Sequence, residues 1–478
     1  MKDLNSDWPN ERFFHYFLEI AKIPHGSGNT KGIADYLVNF ANERGLFCIR
    51  DTSDNVLIRK SASEGYENSP GVIIQGHTDM VAVKTSDSKK DLTRDGIDVY
   101  ADGDFLRAEG TSLGGDDGIA VAYALALLED NTIKHPTIEA LFTSDEEIGL
   151  LGAAAFDKSV LTGRILLNVD SDDEGIFTAG CAGGVRTDST LKVTRTKAPI
   201  HGKKYKLTVS GLLGGHSGVE IDRGRANAIK VGFEILAALG DTYIAEAAGG
   251  VADNAIPTDF STRFITDAED AEDIALTLAK EIKERYKVSD PNISIELKNE
   301  EFDTPPCDRE SSEKIVKLGC GAPYGITAMN PHIEGLVETS SNCGIVRLAD
   351  EEFTLCVSVR SSKSEEKRAL AERIKNTANS VGAEYSERGD YPGWAYKSES
   401  ALRDTACRVY REMYGKEAKV VTIHAGLECG LFSDAIEGLD CISFGPDNYD
   451  IHTTDEHLSI SSSVRVFEFI KRVLEELK

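Results

Sequence analysis

A chain of 478 residues exceeds what one ordinary hydrophobic core sustains, so two domains are expected, one inserted into the other. Its hydrophobic fraction of 41% and charged fraction of 28% are those of a globular protein. With 53 Lys and Arg against 80 Asp and Glu, the net charge of −27 attracts cations and argues against nucleic acid or an anionic membrane as partner.

Residues 11–22 carry apolar side chains at helical spacing, and the turn-rich PHGSGN separates them from a second predicted helix over 31–44. GVIIQGH (71–77) is a short apolar run ending in polar residues, the pattern of a buried strand. IAVAYALALLED (119–130) is apolar nearly all round and predicts a buried helix. IEALFTS (138–144) and RILLNVD (164–170) are two more buried strands. This alternation predicts an α/β layer with a mainly parallel sheet.

The texture changes near 196–204. KYKLTVSG and DFSTRFIT read as strands around a helix spanning DRGRANAIKVGFEILAAL (222–239). DAEDIALTLAKEIKERYK is a helix with acids at its start and bases at its end, matching the dipole. NISIELKN and EFTLCVSVRSS are strands, and SEEKRALAERIKNTANSVG is a further helix. This order predicts an α+β domain with an antiparallel sheet, ending at the turn-rich YPGWAYKSES (391–400). DTACRVYREMYG and LDCISFGP then return to the helix-and-strand texture of the first part. The expected division is an α/β domain at 1–197, an inserted domain at 198–396, and the rest of the first domain at 397–478. The start, MKDLNSDWPNERFF, is polar and acidic and unlike a secretory signal. Nine scattered cysteines without CxxC pairs suit reduced thiols, so the cytoplasm is the expected compartment.

Five places put ligand-type side chains at a strand end or helix start, the edge where open α/β sheets bind ligands. They are His77 with Asp79, Asp116 in LGGDDG, Glu146 with Glu147 in TSDEEIG, Asp170 closing ILLNVD, and His452 after CISFGP. Each also has a plain structural reading: a core histidine, an N-cap aspartate, a solvated acidic helix start. Asp172, Asp173 and Glu174 read as solvated loop charges. Together, two histidines and three carboxylates with no thiolate suit zinc, cobalt or manganese better than calcium. A carboxylate shared by two ions gives a two-metal site that acidifies a water, and Glu146 is placed to accept its proton.

GHTDMV, LGGDDG, TSDEEIG, LNVDSDDEG and GPDNYDIHT, in this order, resemble the co-catalytic zinc peptidases related to carboxypeptidase G. GCAGG, GLLGGHSGVEID, NAIP, IEGLVETSSN, VSVRSS, YPGW and HAGLECG narrow the resemblance to the aminoacyl-histidine (Xaa-His) dipeptidase branch, also called peptidase D. The resemblance implies a catalytic domain interrupted by a lid and dimerisation domain, and hydrolysis of dipeptides, broadly of Xaa-His type. It implies that His77 and Asp170 hold one ion, that Glu147 and His452 hold the other, that Asp116 bridges both, and that the Asp116–Asp117 peptide is cis. Asp79 would support His77, and Glu146 would be the general base. His216 would polarise the scissile carbonyl or stabilise the oxyanion, reaching into the partner's site of a homodimer. Asn254, Arg360 and Gly426 match substrate-binding positions, with Arg360 clamping a carboxylate. Without the resemblance, the favoured reading of Arg360 is a surface salt-bridge partner on a strand.

Many members of the family have Ala and Asn where this chain has Gly115 and Asp117, and Asp117 either tunes metal choice or faces solvent. His424 and Glu428 read as structural or supporting residues. A tripeptidase or N-acyl-amino-acid deacylase of the same family, or a non-catalytic metal-binding relative, are the alternative functions.

Overall fold

The computed structural model describes residues 11–196, 201–331, 333 and 335–478. The chain forms two compact units. The first comprises residues 1–181, 394–422 and 427–478, and the second 182–393 and 423–426. The expected join between 197 and 198 lies outside the described residues; the units divide earlier, between Cys181 and Ala182. Only Ala182 separates the strand Ile176–Cys181 of one sheet from Gly183–Lys192 of the other, so no linker composition marks the crossing.

The first unit is built on an eight-stranded sheet in the order 47–50, 56–60, 138–143, 72–77, 165–168, 440–443, 176–181 and 419–423. Its four central strands, Ile138–Thr143, Val72–His77, Ile165–Asn168 and Asp440–Ser443, run parallel, with antiparallel strands outside them. Val72–His77 and Ile138–Thr143 are buried at every position, the pattern of strands covered on both faces. The helix Gly115–Glu129 buries every residue from Asp117 to Leu128, so it has no solvent face to make it amphipathic. Phe13 and Phe467 pack on its Tyr123, within one core that includes the sheet. A small second sheet pairs His457–Ser459 with Phe105–Ala108.

The second unit is an antiparallel sheet in the order 294–299, 203–210, 260–266, 243–249, 337–349, 352–361, 183–192 and 384–391, with 325–329 paired on 337–349. Its core joins the sheet to the helices Ala228–Leu239, Ala271–Arg285, Arg309–Gly321 and Ser364–Asn379. The helix expected over 222–239 begins only at Ala228. Gly224 takes a left-handed φ of 65°, and Asn227 accepts a hydrogen bond from the Lys230 N–H as its cap. All nine cysteines are free. Among the described residues no helix is long and apolar enough to cross a membrane.

Candidate active site

Parallel strands end at the same edge, which brings together side chains far apart in sequence. His77 closes Val72–His77, Glu146 and Glu147 follow Ile138–Thr143, Asp170 follows Ile165–Asn168, and His452 lies in the loop after Asp440–Ser443. Asp116 stands at the start of the buried helix, next to a cis Asp116–Asp117 peptide bond.

The Asp116 carboxylate lies between the two imidazoles. Its Oδ1 is 3.0 Å from His77 Nε2, and its Oδ2 is 3.1 Å from His452 Nε2. Asp170 Oδ1 lies 3.7 Å from His77 Nε2, and Glu147 Oε1 lies 2.9 Å from His452 Nε2. Two donor sets therefore share Asp116: His77, Asp116 and Asp170, and Asp116, Glu147 and His452, each with ligand atoms within 4.8 Å of one another. His77, Glu146 and Glu147 meet the same criterion.

The geometry fits divalent cations. His77 Nδ1 faces the main-chain carbonyl of Asp79 at 2.9 Å, so this nitrogen carries a proton. Its Nε2 then points a lone pair at carboxylate oxygens, a repulsive arrangement unless a proton or a cation lies between. Glu147 Oε1 is buried and faces His452 Nε2 at 2.9 Å, a second carboxylate–imidazole contact of the same kind. The hydrogen bonds with Asp116 and then Glu147 push His452 up to about 10. Burial opposes ionisation of Asp116, but the two histidines more than offset it and hold its carboxyl below the usual range. Burial raises Asp170 and Glu146, and for Glu146 the charges of Asp170, Glu428 and Glu147 add to it against the opposing effect of His77.

Several supporting residues differ from expectation. The closest partner of the His77 ring on this side is the Asp79 carbonyl, not its carboxylate, which lies 3.6 Å from Nδ1. The Asp79 carboxylate instead accepts from the N–H groups of Glu146 and Glu147 and from Ser27 Oγ. Asp117 does not face solvent: it is buried, and its Oδ2 accepts from the His77 N–H at 3.1 Å. A Cβ on Gly76 would come within 2.5 Å of that oxygen, so glycine is needed there. Nor are Asp172 and Glu174 solvated. Glu174 pairs with Arg465 at 2.6 Å, and burial, reinforced by Asp116 and Asp170, pushes Asp172 up to about 8. Glu428 is buried beneath the edge, where it accepts from Gln75 Nε2 and Thr143 Oγ1. Sequence reasoning missed Glu456, a buried carboxylate that accepts from the backbone of residues 113–116.

The other candidate residues belong to the second unit. His216 Nδ1 accepts from the N–H groups of Gly218 and Val219, each at 3.2 Å, so its neutral ring carries the proton on Nε2. Burial and then Arg360 lower its proton affinity. The Asn254 carbonyl accepts from the Ser217 N–H at 2.7 Å, while the residue is exposed. Arg360 is buried rather than superficial. Its Nη1 donates to Tyr391 Oη at 3.1 Å, and among the described residues its Nε has no hydrogen-bond partner and no carboxylate pairs with it. Gly426 packs where a Cβ would lie 2.8 Å from the Tyr391 ring. His424 Nε2 is 2.7 Å from Ser340 Oγ.

The model of peptidase family M20/M25/M40 matches residues 73–476. The chain belongs to peptidase family M20. It is 34% identical over 469 residues to the cytosol non-specific dipeptidase of Escherichia coli (strain K12), covering 96% of each chain. Among solved structures, aminoacylhistidine dipeptidase from Vibrio alginolyticus superposes with a TM-score of 0.91 at 33% identity, over 99% of this chain and 98% of that one. An aminopeptidase from Bacillus cereus shares the fold at a TM-score of 0.57 and 15% identity, over 98% and 99%. The M20 chain is a peptidase of mixed α/β fold, in the aminoacyl-histidine dipeptidase branch.

Proposed function

We propose that this M20 peptidase hydrolyses dipeptides, Xaa-His among them with broad specificity, as a two-metal enzyme of the cytoplasm. The observation that carries this reading is the Asp116 carboxylate with one oxygen on each of two histidines, each histidine flanked by a further carboxylate. His77 and Asp170 would hold one ion, Glu147 and His452 the other, and Asp116 both. Zinc suits this nitrogen and oxygen set best, with cobalt or manganese as substitutes. When bound, the ions supply Lewis-acid activation of the attacking water and the scissile carbonyl.

The protein's own residues do the rest. Glu146, oriented through its backbone by Asp79, takes the water proton and returns it to the leaving amine. His216 presents an Nε2–H donor suited to a developing oxyanion. Arg360, buried and without a carboxylate partner among the described residues, would pair with the free carboxylate of the substrate, beside Asn254 and Gly426. A homodimer in which His216 serves the partner's site completes this reading; it rests on the family resemblance of GLLGGHSGVEID.

The test is hydrolysis of Gly-His, β-Ala-His, Leu-Leu, a tripeptide and an N-acetyl amino acid by protein as isolated, chelator-stripped, and resupplied with zinc, cobalt or manganese. Metal-restored cleavage of dipeptides only is expected. Cleavage confined to the N-acetyl substrate would make the protein a deacylase, and two bound ions without turnover would make it a binding protein.

A further inference from the structure

Glu456 is buried, 3% exposed, and forms no ion pair with a cation among the described residues. Its charge is met by backbone. Oε2 accepts from the N–H groups of Leu113 and Gly114 at 2.7 and 2.9 Å, and Oε1 from those of Gly115 and Asp116 at 2.8 and 3.3 Å. Four successive N–H groups converge on one carboxylate, a backbone nest for an anion. Gly114 makes the turn possible with a φ of 71°, and a Cβ on Gly115 would press on Glu456 at 3.2 Å.

We infer that Glu456 is a positioning residue of the metal centre, setting the Asp116 turn in register with the loop that carries His452. Four hydrogen bonds fix the peptide planes up to Asp116 and so the direction of its side chain. Glu456 lies four residues after His452, so the same carboxylate ties that loop to the turn. The two ligands that meet at 3.1 Å are thereby held from both sides. Bonds to a charged acceptor are also the stronger kind, which suits a support that must hold two like-charged carboxylates near one another.

The inference rests on the two-metal reading, and the experiment separates the two. Metal-free wild type and Glu456→Gln are titrated with zinc by calorimetry, and their melting temperatures are compared without metal. The amide keeps the side-chain size, but its NH2 faces backbone N–H groups. Expected is a loss of about tenfold or more in at least one zinc binding constant, as for other groups that orient ligands. The kcat for a dipeptide should fall with KM nearly unchanged. If Glu456→Gln does not fold, Glu456→Asp, which keeps the charge on a shorter arm, is measured in its place. Unchanged zinc constants in the folded variant would overturn the inference, including where only the melting temperature drops. Wild type that takes up no zinc would refute the two-metal reading itself, and the inference with it.

Discussion

Asp79 Oδ1 accepts a 2.9 Å hydrogen bond from the backbone N–H of Glu146. Its Oδ2 adds the Glu147 N–H at 3.3 Å and Ser27 Oγ at 2.8 Å, so one carboxylate orients two consecutive acids. The chain enters this turn through Asp145 at a left-handed φ of 51°. Glu146→Gln should keep its metal and lose about 10²–10⁴-fold in kcat, since only the proton acceptor goes. Asp79→Asn should lose both kcat and metal affinity, because an amide NH2 would face N–H donors. Metal analysis beside steady-state kinetics distinguishes them, and undiminished turnover in Glu146→Gln would refute its role as base.

Arg360 and Gly426 are linked through Tyr391. Arg360 Nη1 donates to the phenol oxygen, and a methyl group at 426 would lie 2.8 Å from the ring. Arg360→Ala should raise KM for free-acid dipeptides by about 10–100-fold, the equivalent of about 1.5–3 kcal/mol for a hydrogen bond to a charged group. Amidated peptides should be affected less. Gly426→Ala should raise KM in the same direction by displacing the ring. Equal losses on free-acid and amidated substrates would count against a carboxylate clamp.

His424 is buried, and desolvation, followed by the charge of Arg360, pushes it down from 6.5 to about 4. It is therefore neutral in the folded chain where the unfolded chain already binds a proton. Its contribution to stability is complete above pH 6.5 and is lost as pH falls from 6.5 toward 4. The gap corresponds to at most about 3 kcal/mol. Urea unfolding between pH 7 and pH 4 should show wild type losing more stability than His424→Gln. Parallel pH profiles for the two proteins would exclude this role.

Much of the candidate site was legible because residues of metal-ligand type follow apolar runs in fixed order. The rule that parallel strands share a carboxyl edge groups His77, Glu147, Asp170 and His452, Asp116 joins them from a helix start, and their roles as a set came from the family resemblance. The buried strands 71–77 and 138–144 and the helix over 119–130 were equally plain, since uninterrupted apolar runs have one stable environment. The second sheet was harder. Gly183–Lys192 buries Thr187 and Ser189 beside Val185 and Leu191, and Val337–Ala349 buries a polar run from Glu338 to Asn342. Polar side chains on a core face erase the alternation that announces a strand.

The two-domain α/β and α+β character and the candidate donor residues were readable from local pattern and residue chemistry, and the family from the resemblance of its motif strings. Which group supports which emerges from contacts made in the folded chain. The Asp79 carboxylate accepts from the Glu146 turn while the Asp79 carbonyl meets the His77 ring, Asp117 is buried under His77, and Glu456 holds the Asp116 turn from 340 residues away. Such contacts join segments remote in sequence, and their hydrogen bonds leave no periodic trace along the chain.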